Sequence, residues 1–269
     1  MPELPEMETY LHQLAPRIGG RTISDVLITR EKSINVTPEQ FAQAVAGARI
    51  TALERRAKHL LFHLDSGPVL LLHLMLGGSI FYGTEAQKPQ RTTQVVLRFG
   101  ETALYFIGLR LGYLHLHTPE EAERLLAKLG PEPLSPQFTF ERFQSVLAGR
   151  KANLKASLVD QTFLSGIGNC YSDEICFAAA LLPARRLPDL HPEETSRLYA
   201  SIGTVLREAT RCGGYMDMPL YAGDTLTGGF DPLCRVYDRE GEPCPRCGAP
   251  IVKDEISSKK SFYCSACQH

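Results

Sequence analysis

The strongest constraint on this chain lies near its end, where four cysteines fall as Cys244-x2-Cys247-x16-Cys264-x2-Cys267. Each CxxC hook places two thiolates about one turn apart, and two hooks with a spacer of this length close round one tetrahedral ion, typically zinc. Four sulfurs leave no open position for water or substrate, so one structural zinc ion and no catalytic metal are expected. A segment this short cannot bury enough apolar surface to fold alone, and metal binding supplies the missing free energy. Cys170, Cys176, Cys212 and Cys234 lack such spacing and read as structural thiols.

A reduced tetrathiolate belongs in a reducing compartment. The first residues, MPELPEMETY, carry acids rather than the basic start of a secretory signal. The longest strongly apolar run, Val69 to Leu76, is far shorter than the ~20 residues a membrane helix needs. A cytoplasmic protein is therefore expected, associated with the nucleoid in a bacterium, with no membrane partner. With 43% hydrophobic and 22% charged residues the chain is an ordinary foldable protein. Its net charge of −1 argues weakly against nucleic acid. Local clusters matter more: RRAKH at Arg55 to His59, and Arg150 with Lys151 and Lys155.

Periodicity divides the chain into three. From Thr22 to about Leu116 short alternating segments (ISDVLI, ITALERR, HLLFHL, VLLLHLML, TQVVLRF, TALYFI) predict strands, with FAQAVAG as one short helix. Pro5 and Glu6 suit the start of a helix whose apolar face is Met7, Leu11, Leu14 and Ile18. Four prolines between Pro119 and Pro136 suggest a linker, after which helical patterns follow. The expected class is α+β and multidomain. The boundaries are 1–117 for a β-sandwich with an N-terminal helix, 118–135 for a linker, 136–229 for a helical domain and 230–269 for a metal knuckle. Between two helical patterns, Gly166-Ile167-Gly168 turns the chain and Asn169 opens a helix, whose free N–H donors can grip one phosphate.

Taken in order, PELPEMET, RRAKHLL, LGPEPL, GIGNCYSDEICFAAALLP and RVYDREGEPCPRCGAPI with FYCSACQ resemble the Fpg/Nei family, the formamidopyrimidine-DNA glycosylases and endonuclease VIII-like enzymes. The resemblance spans essentially the whole chain. It implies an N-terminal β-sandwich, a helix-two-turn-helix domain and a C-terminal zinc finger. It also implies a monomeric base-excision-repair enzyme that removes oxidised or ring-opened bases from damaged DNA, duplex or single-stranded, and then nicks the strand as an AP lyase.

On this resemblance Pro2, exposed once Met1 is removed, is the nucleophile. An α-amino group with an unperturbed pKa of about 7.7–8.0 has a usable neutral fraction near pH 7. A secondary amine at the sugar C1′ gives an iminium ion that acts as an electron sink. Glu3 matches the general acid–base residue, and Lys58 the lysine near the lesion phosphate. Lys259 stands where relatives carry a phosphate-gripping arginine; it keeps the charge and loses the bidentate fork. Arg110, Lys151 and Asn169 match backbone-contacting positions, which hold the duplex without reading sequence.

Departures gather where relatives fill the space left by an extruded base. HLMLGG and IGLRLG place Leu76, Leu109 and Leu111 where relatives carry Met, Arg and Phe, and TTQV at Thr92 to Val95 replaces HDHV. Leucine fills a hole but hydrogen-bonds no orphaned base, so weak opposite-base selectivity is expected. A catalytically impaired damage-binding relative is the competing reading, favoured by these departures and opposed by intact Pro2, Glu3 and Lys58. A tautomerase using N-terminal proline explains neither the knuckle nor the phosphate turn.

Overall fold

The computed structural model describes every residue, Met1–His269. The chain forms two compact units, Met1–Lys128 with Met216–Gly229, and Leu129–Tyr215 with Phe230–His269.

The first unit opens with α1 (Leu4–Ile18), β1 (Asp25–Ile28) and α2 (Pro38–Val45), followed by β2 (Ile50–Arg56), β3 (His59–Leu64), β4 (Val69–His73) and β5 (Ser79–Gly83). It continues through β6 (Thr93–Phe99), β7 (Thr102–Ile107), β8 (Tyr113–His117) and α3 (Pro119–Leu126). Two antiparallel four-stranded sheets form, in the orders β1-β6-β7-β5 and β2-β3-β4-β8. Alternation explains how they stack. Leu60, Phe62 and Leu64 of β3 face Val95, Leu97, Leu104 and Phe106 of the other sheet in one core, closed by Met7, Tyr10, Leu14 and Ile18 from α1. The Phe62 and Phe106 rings meet edge to face at 6.3 Å between centroids.

The expected sandwich and N-terminal helix are therefore present, with two strands the sequence did not suggest, SIFYG and YLHLH. Two boundaries differ. The proline-bearing stretch after His117 is not all linker: Thr118 caps α3, accepting from the Glu121 N–H at 3.2 Å, and Pro119 sits at the tolerant first position. Met216–Gly229, expected with the helical domain, belongs to the first unit. Tyr82 N–H donates to the Leu220 carbonyl at 2.6 Å, Tyr10 Oη donates to that of Met218 at 3.1 Å, and Gln13 donates to Asp224 at 2.9 Å. These anchors are far apart in sequence, so no local pattern announces them.

The second unit holds α4 (Phe140–Leu147), α5 (Leu154–Val159), α6 (Asn169–Ala178), α7 (Pro192–Arg211) and the hairpin β9 (Val252–Ile256) and β10 (Lys259–Tyr263). Buried α6 is its axis, contributing Cys170, Tyr171, Ile175 and Cys176 to the helical core and Phe177 to the small core under the hairpin. Cys234 joins the helical core, and Cys212 packs at its edge. No helix is long and apolar enough to cross a membrane.

Candidate functional site

Pro2 and Glu3 lie just before α1, both buried. Glu3 caps the helix, and its N–H donates to Glu6 Oε2 at 2.7 Å, so Glu6 fixes the backbone that carries Pro2. The two-residue turn Ala57-Lys58 between β2 and β3 brings in the third charged group. Ala57 is left-handed (φ 53°), a conformation costing an L-residue ~1 kcal/mol, and Arg55 Nη1 holds its carbonyl at 3.0 Å. Lys58 is only 4% exposed. Burial pushes its ammonium below the usual lysine range, and Glu3 and Glu6 oppose that shift. Two carboxylates and one amine thus share a dry site beside Pro2.

Sequence reasoning assigned Glu6 to the helix dipole alone. The missed signal is its spacing of three from Glu3, that of a capping box, which turns both carboxylates to one end of the helix. His73, at the end of β4, was also missed. Its ring lies 4.4 Å from that of His59, and burial, His59 and Lys58 together push its pKa to about 3. Met75 N–H donates to His73 Nδ1 at 3.2 Å, so the neutral ring carries its proton on Nε2.

The three leucines separate. Leu76 (67% exposed) and Leu111 (62%) are the most exposed large apolar side chains of the molecule. They sit on loops 74–78 and 108–112, which meet backbone to backbone. A Cβ at Gly108 would lie 2.3 Å from the Gly77 carbonyl oxygen, and one at Gly112 would lie 2.6 Å from that of Leu74. Leu109 corrects the sequence reading. It is fully buried in the sandwich core, held by its N–H on Gln94 Oε1 (2.8 Å) and by Ser33 Oγ on its carbonyl (3.2 Å). Gly108, at φ 70°, turns the chain so that residue 109 points inward, and it cannot fill a gap in DNA.

In the second unit, Gln161 shapes the turn before α6. Its Oε1 accepts from the Gly166 N–H at 2.9 Å and its Nε2 donates to the Ile167 carbonyl at 2.7 Å. Asn169 then opens α6, half-exposed, at the N-terminal end of the helix. Lys151 is exposed two residues before Asn153, the cap of α5. Asn153 Nδ2 reaches the hairpin tip at Ser257 Oγ (3.0 Å), and exposed Lys259 begins the following strand. Both tip residues, Ser257 and Ser258, are left-handed (φ 51° and 57°), as a tight hairpin of this hand requires. Lys155, read as part of a cationic surface cluster, is instead fully buried. Its Nζ donates to Asp173 at 2.7 Å, to Ser172 Oγ at 2.9 Å and to the Asn169 carbonyl at 3.0 Å. Asp173 in turn accepts from Ser261 Oγ and the Phe262 N–H of β10. The stretches carrying Lys151, Asn169 and Lys259 are thereby tied together.

Cys244, Cys247, Cys264 and Cys267 bring their sulfurs within 4.8 Å of one another. The pairs Cys244–Cys267 and Cys247–Cys264 are 3.9 and 3.6 Å apart, too long for a disulfide. A tetrahedron with metal–sulfur bonds of about 2.3 Å has edges of about 3.8 Å. The four thiols therefore fit a tetrathiolate ion.

Three family models match in order: the formamidopyrimidine-DNA glycosylase N-terminal domain over residues 1–113, its H2TH domain over 129–217, and a zinc finger found in FPG and IleRS over 241–269. The formamidopyrimidine-DNA glycosylase of Desulfitobacterium hafniense is 37% identical, with both chains covered in full. That of Geobacillus kaustophilus is 39% identical, again over all of both chains. The chain belongs to the formamidopyrimidine-DNA glycosylase family. Among solved structures, Lactococcus lactis Fpg bound to DNA with an abasic site matches with a TM-score of 0.92 and 28% identity over 99% of each chain. The same enzyme bound to DNA carrying N7-benzyl-Fapy-dG matches with a TM-score of 0.91 and 28% identity, each chain covered in full. These findings make the chain a DNA-repair glycosylase by family, with the fold expected of it: sandwich, H2TH domain and zinc finger.

Proposed function

We propose that this family member excises oxidised or ring-opened bases from duplex DNA and then cleaves the strand, using Pro2 as the nucleophile once Met1 is removed. The observation that carries the reading is the dry cluster of Lys58, Glu3 and Glu6 at the start of α1, beside Pro2. The Pro2 nitrogen lone pair attacks C1′ while the C1′–base bond breaks and the base leaves with a proton. Glu3 protonates the ring oxygen, opening the sugar to an iminium ion. A proton then leaves C2′, its electron pair forms the C1′–C2′ enamine, and collapse of that system breaks the C3′–O bond and releases the 3′ phosphate. Loss of a C4′ proton and cleavage of the C5′–O bond follow by the same logic, and water frees Pro2 from the sugar fragment. Lys58 holds its positive charge at the phosphate that departs. Burial strengthens each of these electrostatic contacts, because little water competes for them.

Duplex binding rests on Asn169 with the amide donors of α6, on Lys151, Arg110 and Lys259 at phosphates, and on Leu76 and Leu111 as apolar fillers of the space a nucleotide vacates. The four cysteines hold one zinc ion, which stabilises the small domain and the hairpin bearing Lys259. Neither leucine offers a hydrogen bond to the orphaned base, so a bidentate contribution of roughly 1–3 kcal/mol to discrimination is missing there. A panel of duplexes, each with one defined lesion opposite each of the four bases, tests the reading. Cleavage of oxidised or ring-opened purines with less than about tenfold spread among partners is expected. Inactivity on every lesion, or cleavage opposite one partner only, contradicts it.

A further inference from the structure

In sequence the RRAKH cluster reads as one cationic surface, yet Arg55 is turned inward. Its side chain is 9% exposed and pairs with Glu8 of α1, itself 21% exposed. Two edges of the guanidinium are used separately. Nε donates to Glu8 Oε2, and Nη1 donates to the Ala57 carbonyl at 3.0 Å. The other oxygen of Glu8 lies 3.3 Å from His12 Nε2, one turn further along the same helix. One planar group therefore ties α1, which follows directly on Pro2 and Glu3, to the two-residue turn that carries Lys58.

The turn needs such a tie. Arg56 and His59 pair across β2 and β3, so Ala57 and Lys58 alone reverse the chain. Ala57 has φ 53°, a conformation that two-residue turns usually give to Gly, Asn or Asp. Its methyl group supplies no hydrogen bond to hold it there. Backbone in such a region persists where the surrounding structure over-determines it, and the Arg55 fork is one of those restraints. A rotation at Ala57 would swing Lys58 out of its dry site. The charged and titratable groups that face Lys58 there are Glu3 and Glu6 from α1 and the neutral His73 from the end of β4.

We propose that Glu8 and Arg55 are positioning residues for strand cleavage: Glu8 fixes the guanidinium, and the guanidinium fixes the Ala57-Lys58 turn so that the Lys58 ammonium meets the departing phosphate. The assignment rests on the Pro2 reading above and gives the pair no contact with DNA in this role. It also explains why an arginine stands at 55. A lysine there keeps the charge, but a point charge cannot span a carboxylate on one edge and a carbonyl on the other.

The test is single-turnover cleavage of a duplex with a preformed abasic site, at saturating enzyme. Arg55→Lys and Glu8→Gln are each measured alone and combined with Lys58→Met. Each alone is expected to slow cleavage by up to roughly 10²-fold, the cost of misplacing a reacting group by about 1 Å. In the Lys58→Met background neither is expected to add a further loss, because the group they position is gone. The pH profile gives a second reading. A Lys58 freed from its dry site titrates higher, so the alkaline limb of either single variant is expected to move toward the ordinary lysine range. Losses that add in the double variants overturn the proposal, as does a uniform slowing with the limb unmoved, since both are what a merely structural pair would give. Wild-type rates in both single variants overturn it as well. Should Arg55→Lys fail to fold, Glu8→Gln in the two backgrounds carries the same test. Borohydride trapping of the wild type on abasic DNA is run alongside: no trapping indicts the Pro2 reading, whereas trapping with additive losses indicts the positioning pair alone.

Discussion

Lys58 in the sandwich unit and Lys155 in the helical unit are both shut away from water beside carboxylates, but their surroundings differ in kind. Lys155 is saturated: its three donors meet Asp173, Ser172 and the Asn169 carbonyl, and Asp173 passes the connection on to β10. Burial pushes Asp173 up to about 6 even against Lys155 and the hydrogen bonds it accepts. That ammonium is a bolt between α5, α6 and the hairpin. Lys58 sits on a left-handed turn, facing two carboxylates at a helix start, with its proton loosened by burial. One arrangement uses up every donor to hold backbone in place. The other keeps a charge in a dry site where it can act on a substrate.

Breaking each site should therefore give different signatures. The largest effect is expected at the bolt. Lys155→Met leaves Asp173 buried without its cation, which typically costs about 3–5 kcal/mol. The urea midpoint should fall accordingly, and binding of duplex should fall with it. A variant as stable as the wild type would show that the ion pair holds nothing together.

Lys58→Met should act on rate instead. On a preformed abasic site at saturating enzyme, strand cleavage is expected to slow by roughly 10²–10⁴-fold, the range of a positioned proton-bearing group. The pH profile sharpens the point. Because burial lowers the Lys58 pKa, its ammonium is present at low pH and is lost as pH rises through a value below the ordinary lysine range. The wild-type rate should therefore decline on the alkaline side before a free lysine would titrate, and that limb should vanish in Lys58→Met. A decline that persists in the variant would assign it to another group.

A smaller effect separates His73 from both lysines. Its folded pKa of about 3 lies below the unfolded value of about 6.5, so between these values the unfolded chain binds more protons. Stability should thus fall as pH drops from 6.5 toward 3, with His115, at about 4, contributing in the same direction. In His73→Gln the fall in urea midpoint between pH 7 and pH 4.5 should be shallower. An identical slope would place the proton uptake elsewhere.

The contrast between these sites also explains what could be read without coordinates. The four cysteines were legible because a metal imposes its spacing on the chain. The sandwich was legible because short apolar segments such as HLLFHL, bounded by turn residues, recur along the first 116 residues, and in β3 Leu60, Phe62 and Leu64 fall on one face of the strand. Lys155 and Lys151 look alike in sequence, and only the packing of α6 against α5 buries one and leaves the other exposed. Leu109 and Leu111 share a loop and a residue type, and the positive φ of Gly108 sends the first into the core. Glu6 hid behind a sufficient local explanation, since an acid at a helix start requires no other. Met216–Gly229 joined the first unit through bonds to residues some two hundred positions away.

The central claim concerns the first amine. Wild-type protein incubated with abasic duplex and borohydride, then digested and mass-mapped, should yield one covalent sugar adduct on Pro2 of a chain lacking Met1. A retained Met1 with full strand cleavage, or an adduct mapped to Lys58 or another lysine, would contradict it.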